Sequence, residues 1–219
     1  MFEILNQGTF LRLVEGLKVT LELSIVSICI SLIGGIFFGM IMNSKNKILY
    51  TSCRFMLEFV RIMPLIVWLF VVHFSLAKWI GWHLSTLTSS IIVFSIWGIF
   101  EMMDLVRSSL ASIPKHQYES GLSLGFNKIQ VYFFIIIPLS LRRLLPMSIN
   151  LFTRIIKSTS IIYLIGGIEL IKVGQQIIEL NLFKNSYSAF VVYGLILIIY
   201  FILCYPLSVY SRFLEKKWS

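Results

Sequence analysis

The sequence contains little charge and little proline. Only 13% of its 219 residues are charged, 58% are hydrophobic, and there are 5 prolines. Soluble domains carry about 25% charged residues, so this composition is typical of a membrane protein. A β-barrel needs a turn after every short strand, so the scarcity of turn-forming residues argues against a barrel and predicts long helices.

Cysteine is also scarce, and its three positions are far apart. Cys29, Cys53 and Cys204 show neither the spacing of a zinc site nor the number of a disulfide framework, so we expect no metal site. Acidic residues are outnumbered by basic ones, 10 to 19. The cations flank the hydrophobic runs, which indicates membrane topology and argues against nucleic-acid binding. The N-terminus, MFEILNQGTFLRLVEG, lacks the pattern of a cleavable signal, so we expect the first span to be retained.

Uncharged apolar runs predict an all-α integral membrane protein with about five spans, because a bilayer core requires roughly 20 apolar residues per helix. The predicted spans are 20–42, 56–77, 84–107, 143–166 and 187–211, within a single domain over 1–219. The stretch 131–141 is too short to cross and contains Pro138, so we expect it to lie in the interface. Lys and Arg are more numerous in the loops on one side, which predicts an outside N-terminus and a cytoplasmic C-terminus.

The loop over 112–141 contains a short helix with signals at both ends. In PKHQYESGLSLGFNKIQV, Pro114 suits the first helical position, after a cap at Ser112 or Ile113, and Gly125 suits the left-handed residue past the end. Apolar side chains at a spacing of four form a ridge on this helix, namely Tyr118, Leu122 and Phe126. From the residues alone, an amphipathic helix resting on lipid headgroups explains the pattern.

The stretch from Arg107 to Pro146 resembles the cytoplasmic EAA loop of ABC importer permeases, specifically those of the polar amino acid uptake family. The motif positions are filled by Glu119 for its glutamate, Ser120 and Gly121 for its two alanines, and Gly125 for its glycine. The resemblance covers about 16–212 and includes the segments FVRIMPLIVWLF and KSTSI, which start at Phe59 and Lys157.

This resemblance implies a transport subunit of the bacterial inner membrane that takes a polar amino acid across by alternating access. The short helix would be a coupling helix seated in a cleft of a cytoplasmic ABC ATPase dimer, and Glu119 would hold the loop's shape through an ion pair or a helix N-terminus. The residues implied in coupling are Glu119, Ser120, Gly121, Leu122, Gly125 and Phe126.

The partners implied by the resemblance are the ATPase dimer, a second permease chain and an extracytoplasmic amino acid-binding protein. The second permease is either a copy of this chain or a paralogue. No cofactor or catalytic residue is expected in this chain, and ATP with Mg²⁺ would bind the partner ATPase. In agreement, the sequence has no glycine-rich Lys-Ser/Thr phosphate loop.

Polar residues inside the predicted spans form a second candidate group. They are Glu58, Arg61, Trp68, Glu101, Asp104, Asn150, Arg154 and Lys157. A charge near the bilayer centre costs about 3 kcal/mol or more, so each demands a partner or a watery cavity. For the charges on the second and third spans, which recur at a spacing of three, mutual neutralisation is the favoured interpretation.

The polar residues of the fourth span share one face, and two interpretations remain open for them. Asn150, Arg154 and Lys157 either pair with acids of the third span or line a path for a substrate carboxylate. Three positions depart from the family pattern: Met63, Trp68 and Ser158 stand where the family has Thr, Gln and Asp. These departures suggest a heterodimer whose other half carries more of the specificity.

Two further segments have alternative roles. The first span carries a stripe of small residues, for which close helix packing is favoured over pore lining: Thr20, Ser24, Ser27, Ser31, Gly35 and Gly39. The segment 166–187 either docks a soluble binding protein or is a solvated amphipathic helix, and its polar residues are Glu169, Lys172, Gln175, Gln176 and Glu179.

Two other functions compete with transport by an ABC importer. A self-sufficient secondary carrier usually has internal repeats, and none is evident in this sequence. An intramembrane enzyme would use His73, Glu101 or Asp104, but these show no spacing typical of paired acids or of a metal set.

Overall fold

The computed structural model describes residues 7–44, 46–81, 83–181 and 187–218. Within these residues the secondary structure is entirely helical, which confirms the predicted all-α class. The helices are α1 (Gln7–Met42), α2 (Lys47–Ile62), α3 (Leu65–Phe70), α4 (Leu76–Ile80), α5 (Thr86–Ala111), α6 (Lys115–Ser123), α7 (Lys128–Val131), α8 (Ile137–Ser158), α9 (Leu170–Asn181) and α10 (Ser188–Trp218).

Three irregular helical turns link these elements. π-helical turns over Val71–Ser75 and Tyr132–Ile136 join α3 to α4 and α7 to α8. A 3-10 helix over Thr159–Ile165 extends α8 and ends at Gly166, whose φ is +86°. By length and composition, four of the described helical runs can cross a membrane: α1, α5, Lys128–Ile165 and α10.

The predicted second span is divided into two helices at a proline. The axes of Lys47–Ile62 and Leu65–Ser75 differ by 93°, and counting this bent pair as one span brings the total to five. Pro64 has an extended backbone (φ −58°, ψ 136°) and lacks the N–H that would continue the hydrogen-bonding ladder of α2. The break therefore has a local cause, although its angle was not predicted.

The stretch 131–141 is helical, and its expected place in the interface stays a prediction. These residues begin the helical run Lys128–Ile165, which is long enough to cross. Pro138 is only the second residue of α8, where the missing N–H is easily accommodated after the π-turn, and Val131 and Ile136 are buried. A proline that would stop a regular helix is therefore tolerated here, and the helical run continues through it.

The chain forms two compact units, each assembled from separate stretches. One comprises residues up to Ile28, with Met63–Ser95 and Thr153–Pro206, and its core is formed by Leu13, Leu170, Val173, Ile177, Ile178, Val192 and Ile196. The other comprises Cys29–Ile62, Ile96–Phe152 and the residues from Leu207 onward. Helices α1, α5, α8 and α10 each contribute residues to both units.

The small residues of α1 pack closely, as predicted. In the second unit, a Cβ atom at Gly35 would lie 2.3 Å from the Met102 side chain, and one at Gly39 would lie 2.5 Å from Val106. In the first unit, Thr20 and Ser24 are buried, and their hydroxyls donate to the carbonyls of Gly16 and Thr20. Side chains of this size allow neighbouring helices to approach at backbone distance.

Candidate functional site

The short loop helix α6 begins and ends through backbone geometry. Pro114 precedes it in an extended conformation and is its N-cap, so the helix begins at Lys115, one residue later than predicted. At the other end, Gly125 has a φ of +85°, and the N–H of Phe126 donates to the Gly121 carbonyl at 3.2 Å. This is the hydrogen bond of a left-handed helix termination, which favours glycine.

A second short helix, α7, is packed against α6. The Asn127 side chain accepts from the N–H of Gln130 and the Gln130 side chain accepts from the N–H of Asn127, both at 2.9 Å, which forms a reciprocal capping box for α7. A Cβ atom at Gly121 would lie 2.9 Å from the Val131 side chain and 2.7 Å from the Ile135 side chain, so the backbone of α6 contacts side chains of the run after it.

We define residues 114–136 as the helix hairpin. Two aromatic pairs join its first helix and the following loop to the helical run after it. Tyr118 meets Tyr132 edge-on with ring centroids 6.4 Å apart, and Phe126 lies 6.4 Å from Phe134. Such pairs add about 0.5–1.5 kcal/mol each to the area that they bury. The left-handed end of α6, the capping box of α7 and the two aromatic contacts hold the hairpin together.

Part of the hairpin surface is exposed, and we call it the exposed face. Glu119 and Ser120 are exposed, Leu122 is 39% exposed and Phe126 is 37% exposed. Glu119 forms no ion pair within the described part of the chain, so the intramolecular partner expected for it is not found there. The hairpin therefore presents one carboxylate and two large apolar side chains outward.

Four charges form one cluster in the second unit. Arg61, near the end of α2, donates to Glu101 at 2.9 Å and to Asp104 at 3.3 Å, and Arg107 donates to Asp104 at 2.7 Å. Glu101 is only 7% exposed. The cluster joins the last turn before the Pro64 bend to α5, in agreement with the expected neutralisation.

Glu58 does not join this cluster. Its partner is Arg54, at 3.7 Å one helical turn earlier, and this pair is exposed. Among the other predicted path residues, Trp68 is partly buried, whereas Asn150, Arg154 and Lys157 are exposed. The two interpretations of the fourth-span residues therefore both remain open.

A buried carboxylate was missed by the sequence analysis. Glu169 was placed among the polar residues of an outer docking or solvated segment, but its exposure is 0%. Its oxygens accept from the backbone N–H groups of Ile171 and Lys172 at 2.8 Å and 2.9 Å, so it caps α9. An acid directly before an apolar helix start was the available signal for this N-cap.

Burial shifts the pKa of the Glu169 carboxyl group. Loss of solvation raises the pKa of Glu169 from its ordinary value of 4.5 to about 7, while hydrogen bonds from the two N–H groups and from the Tyr200 hydroxyl oppose the rise. The hydroxyl of Tyr200 lies 3.5 Å from the carboxylate, and the N–H of Leu170 donates to Thr20 Oγ1 at 3.4 Å. The start of α9 is thus fixed to α1 and α10 inside the first unit.

Comparison with known proteins identifies the family. The family model described as "binding-protein-dependent transport system inner membrane component" matches residues 35–219. The probable glutamine ABC transporter permease protein GlnP of Bacillus subtilis is 32% identical, over 93% of this chain and 92% of that protein. The glutamine transport system permease protein GlnP of Escherichia coli K12 is 28% identical, over 94% and 92%.

Solved structures share the fold. One, described as an amino acid ABC transporter with histidines, superimposes with a TM-score of 0.83 at 23% identity and 94% coverage of each chain. An inward-facing structure of the MetNI methionine ABC transporter gives a TM-score of 0.76 at 18% identity, covering 96% of this chain and 98% of that one. The chain therefore belongs to the family of inner membrane components of binding-protein-dependent transport systems.

Proposed function

We propose that this chain is the permease subunit of an ABC importer that carries a polar amino acid. The relatives that bear the names of glutamine and amino acid permeases support the substrate class. A soluble binding protein delivers the amino acid from outside, two permease chains form the pathway, and a cytoplasmic ATPase dimer binds ATP and Mg²⁺. The charge distribution of the loops supports a cytoplasmic hairpin and an outside N-terminus.

The proposal rests on the hairpin, which is held together by its own contacts and has an exposed face. A displacement of a docked ATPase is transmitted only by an element that moves as one body, because a flexible loop would absorb it. The contacts within the hairpin favour such movement, since α6 ends at a left-handed glycine and α7 begins with a capping box. Its exposed Glu119, Leu122 and Phe126 supply a charge and apolar area for a partner cleft.

The test is copurification of the ATPase with variants of the exposed face. Glu119→Lys and Leu122→Asp should lose the ATPase while the permease keeps its thermal stability, because both side chains are exposed. Glu179→Lys and Leu180→Asp make the same changes at exposed positions of α9 and should retain it. If all four variants retain the ATPase equally, the exposed face of the hairpin is not the surface that docks the ATPase.

The substrate is tested separately, in a reconstituted complex with its binding protein. ATP hydrolysis that is stimulated by one polar amino acid across a panel would identify it. An ATPase that docks but responds to no amino acid would leave coupling intact and exclude this substrate class. The same assay tests the role of Arg154 and Lys157. If either residue guides the carboxylate of the amino acid, neutralising it should raise the amino acid concentration needed for half-maximal stimulation of ATP hydrolysis.

The permease pair has two possible compositions, and each has a distinct outcome. Met63, Trp68 and Ser158 depart from the family pattern and support a heterodimer with a paralogue. If the purified complex contains only this chain and the ATPase and still transports, the pair is a homodimer. The mass spectrum of the purified complex distinguishes a homodimer from a heterodimer.

The alternative functions make different predictions. A secondary carrier would transport without a copurifying ATPase, driven by an ion gradient. An intramembrane enzyme would lose activity on changing His73, whose Nδ1 lies 3.0 Å from the Ser89 hydroxyl, while its membrane partners stayed unaffected. The family membership favours neither.

A further inference from the structure

A cavity of about 510 Å³ lies in the second unit, between the C-terminal ends of α5 and α10 and the first half of α8. We call it the helix-end groove. It is lined by Ser108 from α5, Ser112 directly after it, Arg142, Arg143, Pro146 and Met147 from α8, and Glu215 and Trp218 from α10. None of these residues belongs to the exposed face of the hairpin.

Hydrogen bonds between the three helices hold the walls of the groove in place. The Arg143 guanidinium donates to the carbonyl of Ser112, which joins α8 to the end of α5. The Ser211 hydroxyl is fully buried and donates to the carbonyl of Pro146 at 2.9 Å, which joins α10 to α8. These hydrogen bonds position the residues that line the groove.

The charges of the groove favour an anion. The lining contains two arginines and one glutamate, and the same end of α10 also carries Lys216 and Lys217. Arg142 is exposed and forms no ion pair within the described part of the chain. A guanidinium presents several N–H donors in a geometry that matches phosphate oxygens, so a phosphate group is the best-fitting anion.

The remaining lining is apolar and aromatic. Pro146 and Met147 provide an apolar wall, and Trp218 lies at the rim with its side chain partly exposed. Tryptophan concentrates at the level of lipid headgroups, and basic pockets between the ends of membrane helices bind anionic headgroups. A free phosphate ion would contact the arginines but gain nothing from the apolar wall, whereas a phospholipid uses both.

We propose that the helix-end groove binds the headgroup of an anionic phospholipid. Arg142 and Arg143 contact its phosphate, Trp218 lies beside its glycerol region, and its acyl chains run along Pro146 and Met147. The site is independent of the transport cycle proposed above, because it requires only that the ends of α5 and α10 and the first half of α8 lie near the same bilayer surface.

The test uses quenching of Trp218 by brominated lipids in nanodiscs that contain the full chain. Brominated phosphatidylglycerol is compared with brominated phosphatidylcholine at equal mole fraction, and Trp218→Phe subtracts the signal of the other tryptophans. Phosphatidylglycerol should quench Trp218 more strongly. Arg142→Gln should lower this preference about fivefold, the effect of one basic residue at the membrane surface.

Three further variants make the result specific. Arg142→Lys should keep most of the preference because the charge remains, which also separates a charge effect from misfolding. Glu215→Gln should increase the preference because it removes the one acid in the lining. Lys47→Gln removes an exposed cation outside the groove and should leave the preference unchanged.

Three outcomes would overturn the proposal. The first is equal quenching of Trp218 by the two lipids. The second is an unchanged preference in Arg142→Gln. The third is loss of the preference on adding inorganic phosphate, which would assign the groove to a soluble anion.

Discussion

At the scale of single residues, two glycines of the hairpin act through different physical effects. Gly125 has a positive φ, and nothing lies within 4 Å of the position that a Cβ atom would take there, so its requirement is conformational. Gly121 has helical geometry, but a Cβ atom there would meet Val131 and Ile135. The first glycine therefore ends the helix and the second lets the next helix approach it.

Replacing Gly125 should destabilise the chain through backbone strain alone. Gly125→Ala is expected to lower the free energy of unfolding by about 1 kcal/mol, and Gly125→Asn by less, because asparagine tolerates the left-handed region. Thermal denaturation in detergent measures both. Gly194→Ala is the control: this helical glycine also has open space around it but no positive φ, so alanine there should be neutral or stabilising.

The buried cap Glu169 should make stability depend on pH. Its pKa of about 7 in the folded chain exceeds its ordinary 4.5, so the folded state keeps a proton that the unfolded state loses between these values. Stability should therefore fall as pH rises through this window and level off above it. The full change is about 3 kcal/mol, from about 1.4 kcal/mol per pKa unit.

Glu169→Gln should remove this dependence while keeping one acceptor oxygen for the backbone of α9. Melting temperatures at about pH 5 and about pH 8 would differ less in this variant than in the wild type. Glu179→Gln, at an exposed position of α9, should retain the wild-type slope. A wild-type melting temperature that rises across the window would contradict the assignment.

At the scale of secondary-structure elements, ion pairs hold the end of α2 just before the bend at Pro64. Arg61 lies within one turn of the bend, and its contacts to Glu101 and Asp104 fix the end of α2 to α5. The exposed Arg54–Glu58 pair lies one to two turns earlier on the same helix. The two pairs therefore compare a partly buried ion pair with an exposed one within a single element.

A double-mutant cycle should separate the two pairs. Arg61→Gln with Glu101→Gln is expected to give a coupling energy of about 1–2 kcal/mol, because Glu101 is almost fully removed from water. Arg54→Gln with Glu58→Gln should give less than about 0.5 kcal/mol. Chemical or thermal unfolding supplies the four free energies for each cycle, and equal couplings would mean that the cluster carries no special stability.

Helix ends were more predictable than helix continuity. Gly125 and Pro114 marked the ends of α6 from local chemistry, since a left-handed residue and a missing N–H are properties of single residues. The continuation of the helix through Pro138 and the burial of Glu169 depend on neighbours far along the chain. Resemblance of motifs identified the family, but it did not reveal which charges meet in space.

At the scale of the whole molecule, the charge distribution predicts its orientation in the membrane. The exposed positions Lys115 on α6 and Glu179 on α9 belong to segments that we place on opposite sides. Cysteines at these positions, in a chain whose Cys29, Cys53 and Cys204 are replaced by serine, report which side each segment occupies.

A membrane-impermeant maleimide applied to intact spheroplasts should label Glu179→Cys and leave Lys115→Cys unlabelled. Permeabilised cells should label both, which controls for reactivity. The opposite pattern in intact spheroplasts would reverse the orientation and move the hairpin away from the cytoplasmic ATPase.

The π-turn over Tyr132–Ile136 has an evolutionary consequence. Such a turn holds one residue more than the α-helical turn it replaces, and the extra residue is absorbed locally. Loss of one codon there would restore a plain helix and leave the flanking side chains on their original faces. The same loss within α8 would rotate every later side chain by about 100°, so length differences among related genes should concentrate at the π-turn.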